Sequence, residues 1–432
     1  MNNVSITVSH NDLKDALNIA QSTLSNSSDI TSHFLFICNP STNTVHVCSS
    51  ELPRTFSMIP LTGANLTFDA EQEDDVRFTV QGKRLVSCNS HVNGVLTITY
   101  NYDEKEVTFS DAQGVNYFSS LNPSDFPDWE DKLNEAINDV GENKVLIDSD
   151  KLYETILSLK PYVSLDETRR PELCVLAFKD GVGYTCDGFG LGMARDDSFN
   201  ALGDMMIHYL DFNSLTKYLK AHSGNDVEVL KSSQATFFKM PDGAVYGYMN
   251  SPYTYPQQIT EKYSDSFDYF PNRTWGFNKN SLASALSFMM AGANEGDTTF
   301  IFTDDLNETH LPPRIEMESS ASSNMVGRDL NPIKPEIPLT ENQELKDFDF
   351  SQVYNLGERM LIADLVNRAK GESKEDVPTF KFNSLSLKRI LDTVKDNIYF
   401  GVQSEEQGRG YMIFKNTTDT GIQVASVYGW VR

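Results

Sequence analysis

Long apolar runs are missing from this 432-residue chain, and no stretch approaches the roughly 18 consecutive apolar residues of a membrane span. The opening residues, MNNVSITVSHNDLKDAL, lack both the basic and the apolar region of a secretory leader, which predicts a cytoplasmic protein with no membrane partner. Paired cysteines are missing too. Cys38, Cys48, Cys88, Cys174 and Cys186 are scattered, mostly in apolar runs, without CxxC spacing, so they read as reduced and packed thiols. The seven histidines are dispersed, with neither an HExxH motif nor a pair at ligand spacing, and no metal is expected. No GxSxG elbow occurs, and the glycine-rich DGFGLG (187–192) is not followed by the Gly-Lys-Ser/Thr of a phosphate loop. The acidic FTDDLNE (302–308) lacks calcium-loop spacing and reads as an exposed turn. No catalytic residue and no cofactor is predicted. Positive charge is also short: 36 Lys and Arg stand against 61 Asp and Glu, a net charge of −25. That balance opposes non-specific nucleic-acid binding unless the basic side chains are gathered on one surface.

What the chain does have is repetition. FNSLTKYLKAHSGND (212–226) and FNSLSLKRILDTVKDN (382–397) open alike, and each runs directly into a strand-like stretch, VEVLKSS or IYFGVQS. Three other helix starts, NDLKDAL (11–17), DKLYETI (150–156) and NSLASAL (280–286), place a capping residue before a Leu and another apolar residue one turn on. Each follows a short strand: VSITVS, KVLIDS and TWGFNK. A second helix comes later in each copy, at QGKRLVSCNSHV (81–92), FNSLTKYLKAH (212–222) and SLKRILDTVKD (386–396). YDEKE and PDGA mark hairpin turns. The chain therefore reads as α+β, with three tandem copies over 1–140, 141–268 and 269–432. FPDWEDKLNEAINDVGEN bridges the first two copies, and an insertion at about 327–378 lengthens the third.

Four stretches in order resemble the bacterial DNA sliding clamp, the β subunit family of DNA polymerase III, in a divergent form of the kind a phage could encode. VNYFSSLNPSDFPDW (115–129) is similar to the run that closes that family's first domain. LCVLAFKDGVGYTCDGFGLGMARDD (173–197) resembles its second-domain hairpin, and FFKMPDGAVYGYMNSPYTYPQ (237–257) the hairpin before the next linker. FNSLSLKRILDTVKDN resembles the second helix of its last domain. The resemblance implies three copies of the processivity fold, each with two helices packed on antiparallel sheets. It further implies a closed ring of two subunits, head to tail, around duplex DNA. The expected partners are duplex DNA, held without regard to sequence, a replicative DNA polymerase, a clamp loader and a second copy of the chain.

By the same resemblance the lumen would present Lys14, Lys83, Arg84, Lys151, Lys160, Lys217, Lys220, Lys279, Lys388, Arg389 and Lys395, all in or beside the six short helices. Contacts from these residues would be to phosphates. The loop LSNSSDITSH (24–33) carries no Lys or Arg where family members commonly have one. A partner-peptide pocket would be walled by Arg170, Leu173, Gly188, Phe189, Leu191, Pro256, Tyr428 and Trp430. Phe189-Gly190 stands where the family usually has His-Arg, so the preferred peptide is expected to differ. Phe288, Met289 and Met290 fall on the helix that would form the dimer interface. Two rival readings stay open. One is a clamp-fold scaffold or decoy that binds replication proteins without encircling DNA, which the net charge favours. The other is an acidic α+β enzyme with an unrecognised site.

Overall fold

The computed structural model describes residues 3–260 apart from 28, 52–53, 141–143, 189 and 257; beyond them it describes 274–280, 282–284, 286–287, 297–303, 314–319, 380–383, 388, 391–392, 397–404 and 410–430. The expected insertion at 327–378, together with Phe189, Phe288, Met289, Met290, Arg389 and Lys395, lies outside the described residues.

The chain opens with β1 (Asn3–Ser9), where Val4, Ile6 and Val8 face inward in strict alternation with polar neighbours. Ser9 then caps α1 (His10–Ala20), accepting a hydrogen bond from the Asp12 backbone at 3.1 Å. Leu13, Ala16, Leu17 and Ala20 form the buried stripe of α1. There follow β2 (His33–Asn39), β3 (Thr44–Glu51), β4 (Thr55–Pro60), β5 (Asn65–Phe68) and β6 (Val76–Gln81). Next come α2 (Gly82–Asn89), β7 (Val95–Asn101), β8 (Glu106–Ser110) and β9 (Val115–Ser119).

The bridge expected at 126–143 carries a helix that the sequence reading did not separate out, α3 (Glu130–Val140). Trp129, Leu133 and Ala136 recur at helical spacing, and α3 lays this side on the sheet strands after it. The middle of the chain contributes β10 (Val145–Asp148), α4 (Ser149–Leu159), β11 (Val175–Lys179), β12 (Val182–Cys186), β13 (Gly190–Arg195) and β14 (Met205–His208). After these lie α5 (Phe212–Ala221), β15 (Asp226–Lys231), β16 (Ala235–Lys239) and β17 (Val245–Met249). The remainder supplies β18 (Thr274–Asn278), β19 (Asp297–Thr303), β20 (Arg314–Ser319), β21 (Phe380–Asn383), β22 (Asn397–Ser404), β23 (Gly410–Thr417) and β24 (Gln423–Trp430). Residues 279–280, 282–284, 286–287, 388 and 391–392 are helical, where two of the expected helices fall.

These elements divide into two compact units, one of residues 1–153 with 210–252 and the other of 154–209 with 253–432. Pairing is antiparallel in all four sheets. The first unit holds a five-stranded sheet, β5-β1-β7-β8-β9, and an eight-stranded one, β10-β15-β16-β17-β4-β3-β2-β6. The second holds β14-β11-β12-β13-β24-β23-β22-β18 and the three strands β20-β19-β21. Each eight-stranded sheet contains one ladder that joins the paired strands farthest apart in sequence. In the first unit Val245–Tyr248 runs against Thr55–Met58; in the second Gly190–Arg195 runs against Gln423–Tyr428.

Both joins are tightly packed. At the first, Trp129 stacks on Phe56 at 5.6 Å, meets Phe237 edge-on, and donates from Nε1 to Ser50 at 3.2 Å. Gly247 there leaves room for Phe237, since a Cβ would lie 2.5 Å from its ring. At the second, Gly192 does the same for Tyr162, also at 2.5 Å. The Arg195 guanidinium there donates to Gln423 at 2.8 and 3.1 Å.

Candidate functional site

Basic side chains come first, because their placement decides whether an acidic chain can hold a polyanion. In the first unit α1 packs against both α2 and α5, so the three helices present one group of outward faces. Lys14, Lys83, Arg84, Lys217 and Lys220 are exposed on them, opposite the buried stripes. The stripes are set by sequence: Leu85 on α2 and Phe212, Leu215, Tyr218 and Leu219 on α5 point inward, which leaves the lysines outward. Arg84 is partly committed, its guanidinium lying 5.4 Å from the centre of the Phe118 ring.

Lys151 is half-buried on α4, and Lys160 is exposed in the turn after it. Lys279 is half-buried in the helical residues just after β18, and Lys388 is exposed. Two nearby carboxylates are drawn away from these faces. Glu154 accepts from the backbone of Thr420 at 3.0 Å and from its hydroxyl at 2.5 Å. Asp150 accepts from Ser223 and from the Gly224 backbone, at 2.7 and 2.9 Å. Asp15 and Asp392 remain exposed.

The residues expected to wall a peptide pocket fall in the second unit, and several meet. Gly188 has φ +92°, and a Cβ there would lie 3.3 Å from the Arg170 guanidinium. Arg170 itself is exposed. Leu173 and Leu191, 1% and 3% exposed, sit in one apolar cluster with Tyr184, Met193, Tyr255 and Ala425. Pro256 is half-buried, and its carbonyl accepts from Ile259 at 3.1 Å. The Tyr255 hydroxyl, buried beside it, has no hydrogen-bond partner among the described residues, and burial pushes its pKa well above the ordinary phenol. Tyr428 pairs through its backbone with Gly190, and Trp430 with Gly410. Leu173 and Leu191 therefore form the floor under this region more than its surface.

One surface escaped the sequence reading. β9 pairs with β8 and ends its sheet, and its Val115 and Tyr117 are 50% and 60% exposed. The signal was present in VNYFS, an apolar and aromatic alternation with no charge to protect an edge.

No protein-family model matches the chain, and no curated protein matches it in sequence. Its fold, however, is that of solved bacterial clamps. The beta subunit from DNA polymerase of Streptococcus pyogenes superposes with a TM-score of 0.71 at 14% identity, over 99% of this chain and 100% of that one. The beta sliding clamp of C. crescentus gives 0.71 at 12% identity, over 100% and 99%. The DNA polymerase III beta subunit of Thermotoga maritima gives 0.67 at 13% identity, over 99% of both. The resemblance read from the sequence holds at the level of the fold: an α+β chain of antiparallel sheets, similar to sliding clamps along nearly its whole length.

Proposed function

We propose that this protein is a DNA sliding clamp, a processivity factor that encircles duplex DNA and tethers a replicative polymerase. The observation that carries the reading is the end-to-end similarity of fold, 99–100% of both chains at TM-scores of 0.67–0.71. Three tandem copies account for the topology. The ladder of β17 on β4 and that of β24 on β13 would be two instances of one junction between successive copies. A third junction of that kind would use β9, the matching last strand of the first copy, against the third copy of another subunit. That arrangement gives the head-to-tail dimer.

The function asked of such a ring is topological, which suits a chain whose motifs offer no catalytic site. The exposed lysines of α1, α2 and α5, with Lys151, Lys160, Lys279 and Lys388, would line the hole and meet phosphates through long, mobile side chains. An acidic exterior would keep DNA from binding elsewhere. The surface around Arg170, Gly188 and Pro256 would take linear motifs from polymerase and clamp loader. Such a protein would work in the cytoplasm of a bacterium, or of a phage host if phage-encoded.

Retention on circular DNA tests the reading. Protein loaded onto nicked plasmid, by a loader or by spontaneous opening, is challenged with high salt, and the plasmid is then linearised. A clamp survives the salt on the circle and runs off once the DNA is cut. Equal loss from circle and line under working loading conditions would leave the scaffold reading, which the net charge of −25 favours.

A further inference from the structure

Lys14, Lys83, Arg84, Lys217 and Lys220 stand outward on α1, α2 and α5, and Arg84 is the single arginine of these three helices. It is also held in place. Its guanidinium carbon lies over the Phe118 ring, 5.4 Å from the centre, within reach of a cation–π contact. The ring is a fixed platform, since Phe118 is 3% exposed and its strand β9 pairs with β8 there. Hydrogen bonds tie the two carriers together. Thr79 of β6 donates from its backbone to Ser120 at 2.9 Å and accepts from the Leu121 backbone at 2.8 Å, just after β9. β6 runs directly into α2, where the Arg84 backbone donates to the Gln81 side chain at 3.2 Å.

What the contact leaves open matters as much. A ring face attracts the cation without supplying an oxygen, so the guanidinium fork remains available. Arg84 enters no salt bridge and no side-chain hydrogen bond among the described residues. The contrast is with Arg54, Arg77 and Arg169, which each meet a carboxylate, and with Arg195, which donates to Gln423.

We propose that Phe118 positions Arg84 as a bidentate contact for one phosphodiester group of nucleic acid, an oriented anion site on an otherwise mobile basic face. The inference rests on reading these helices as a DNA-facing surface, and it divides the labour among their cations. The lysines are point charges on flexible stems, whereas the planar fork of Arg84 matches two phosphate oxygens. A side chain already restrained by the ring loses less freedom on binding than a lysine does. A phosphodiester chain suits the face better than a lone carboxylate, because its regular charges can meet Lys14, Lys83, Lys217 and Lys220 as well. Phe118 touches no phosphate and acts through Arg84 alone.

The test titrates the full chain into a fluorescein-labelled linear duplex of about 20 base pairs and follows polarisation at about 50–200 mM salt. Saturable, salt-sensitive binding is expected of the wild type. Arg84→Lys keeps the charge but loses the fork, and should weaken binding roughly threefold or more with the salt slope unchanged. Arg84→Ala should weaken it further and lower the slope by about one. Phe118→Leu should weaken binding about as much as Arg84→Lys, while Phe118→Tyr, which retains a ring, should bind like the wild type. In the Arg84→Ala background Phe118→Leu should add nothing. Circular dichroism and melting check that the variants fold. Equal affinity of wild type and Arg84→Lys would overturn the proposal, since a point charge would then suffice. So would a Phe118→Leu loss that persists in the Arg84→Ala background, which would be a packing effect. Competition by polyglutamate as effective as by unlabelled duplex of equal charge would overturn the phosphate assignment in favour of an acidic protein. A wild type that binds no duplex at low salt would overturn the inference together with the DNA-facing reading. A wild type retained on circular plasmid, with Arg84→Lys binding unchanged, would overturn the inference alone.

Discussion

Two strands of the first unit hold the same place in their local order, and among the described residues only one has strand neighbours on both sides. β9 is the third strand after α2, and β17 is the third strand after α5. β17 lies between β16 and β4, and Val245, Tyr246 and Tyr248 are at most 1% exposed. Among the described residues β9 pairs with β8 alone, and Val115 and Tyr117 stand half or more in solvent. Both strands are rich in aromatic and β-branched residues. What separates them is whether another strand completes the ladder and covers the side chains. β17 shows what a finished junction is made of, and β9 shows one side of such a junction without its partner.

The finished junction can be probed through charge, and here the largest effect is expected. Arg54, just before β4, reaches Asp211, just before α5, with Nε 3.0 Å from Oδ1. The approach is close but poorly aligned, and neither atom completes a hydrogen bond. Asp211 is fully buried, and burial, opposed by Arg54, raises its pKa from 3.8 to about 7. Between those values the folded chain keeps a proton that the unfolded chain has released. Its contribution is therefore fully present below about pH 4 and is lost as pH rises to about 7. The ceiling is about 1.4 kcal/mol per pH unit, roughly 4 kcal/mol over the window. Asp211→Asn is neutral throughout and should flatten this decline, read as the difference between variant and wild type in denaturant titrations from pH 4 to 8. An identical slope in both proteins would remove Asp211 as its source.

Packing comes next. Trp129→Ala removes the ring that joins Phe56 to Phe237 and strands Ser50, and should cost about 3–4 kcal/mol in urea unfolding. A loss below about 1 kcal/mol would mean the junction collapses around the gap. Gly247→Ala should cost about 1–3 kcal/mol, because the new methyl meets Phe237 at 2.5 Å. Val115→Ala, the matched truncation on β9, should change the stability of a single subunit by no more than about 0.5 kcal/mol. Equal costs at the two strands would erase the distinction between them.

The comparison also explains what the sequence could tell. Strand alternation and helix stripes were readable because one face of each element is buried: Val4, Ile6 and Val8 declare β1, and Leu13, Ala16 and Leu17 declare α1. In the structure those stripes leave the lysines of α1, α2 and α5 on the exposed side, whereas the sequence singles them out through the family resemblance. α3 was overlooked because Pro127 and a dense run of acids read as a linker, while its apolar side has only Trp129, Leu133 and Ala136. Partners distant in sequence were not readable at all. Nothing in VYGYM or TFSMIP specifies that β17 and β4 pair across nearly two hundred residues, because the ladder uses backbone groups that every residue carries. For the same reason the Arg54–Asp211 and Arg84–Phe118 contacts appeared only in three dimensions.

The smallest effect on the isolated chain should accompany the largest consequence for assembly, and β9 is where to look. Under the ring proposal its free edge pairs with a second subunit, so Val115 and Tyr117 are exposed only until that partner arrives. Replacing both by Glu places charges along the edge without touching Phe118, the strand's buried anchor at 3% exposure. Like-charge and desolvation costs should then weaken self-association by about tenfold or more, or 1.4 kcal/mol, while the melting of the isolated subunit barely moves. Light scattering across a dilution series separates the two quantities. A dimer that dissociates at higher concentration in the variant supports β9 as the joining edge. A dimer indifferent to both substitutions would assign self-association to another surface and leave β9 as a plain edge strand.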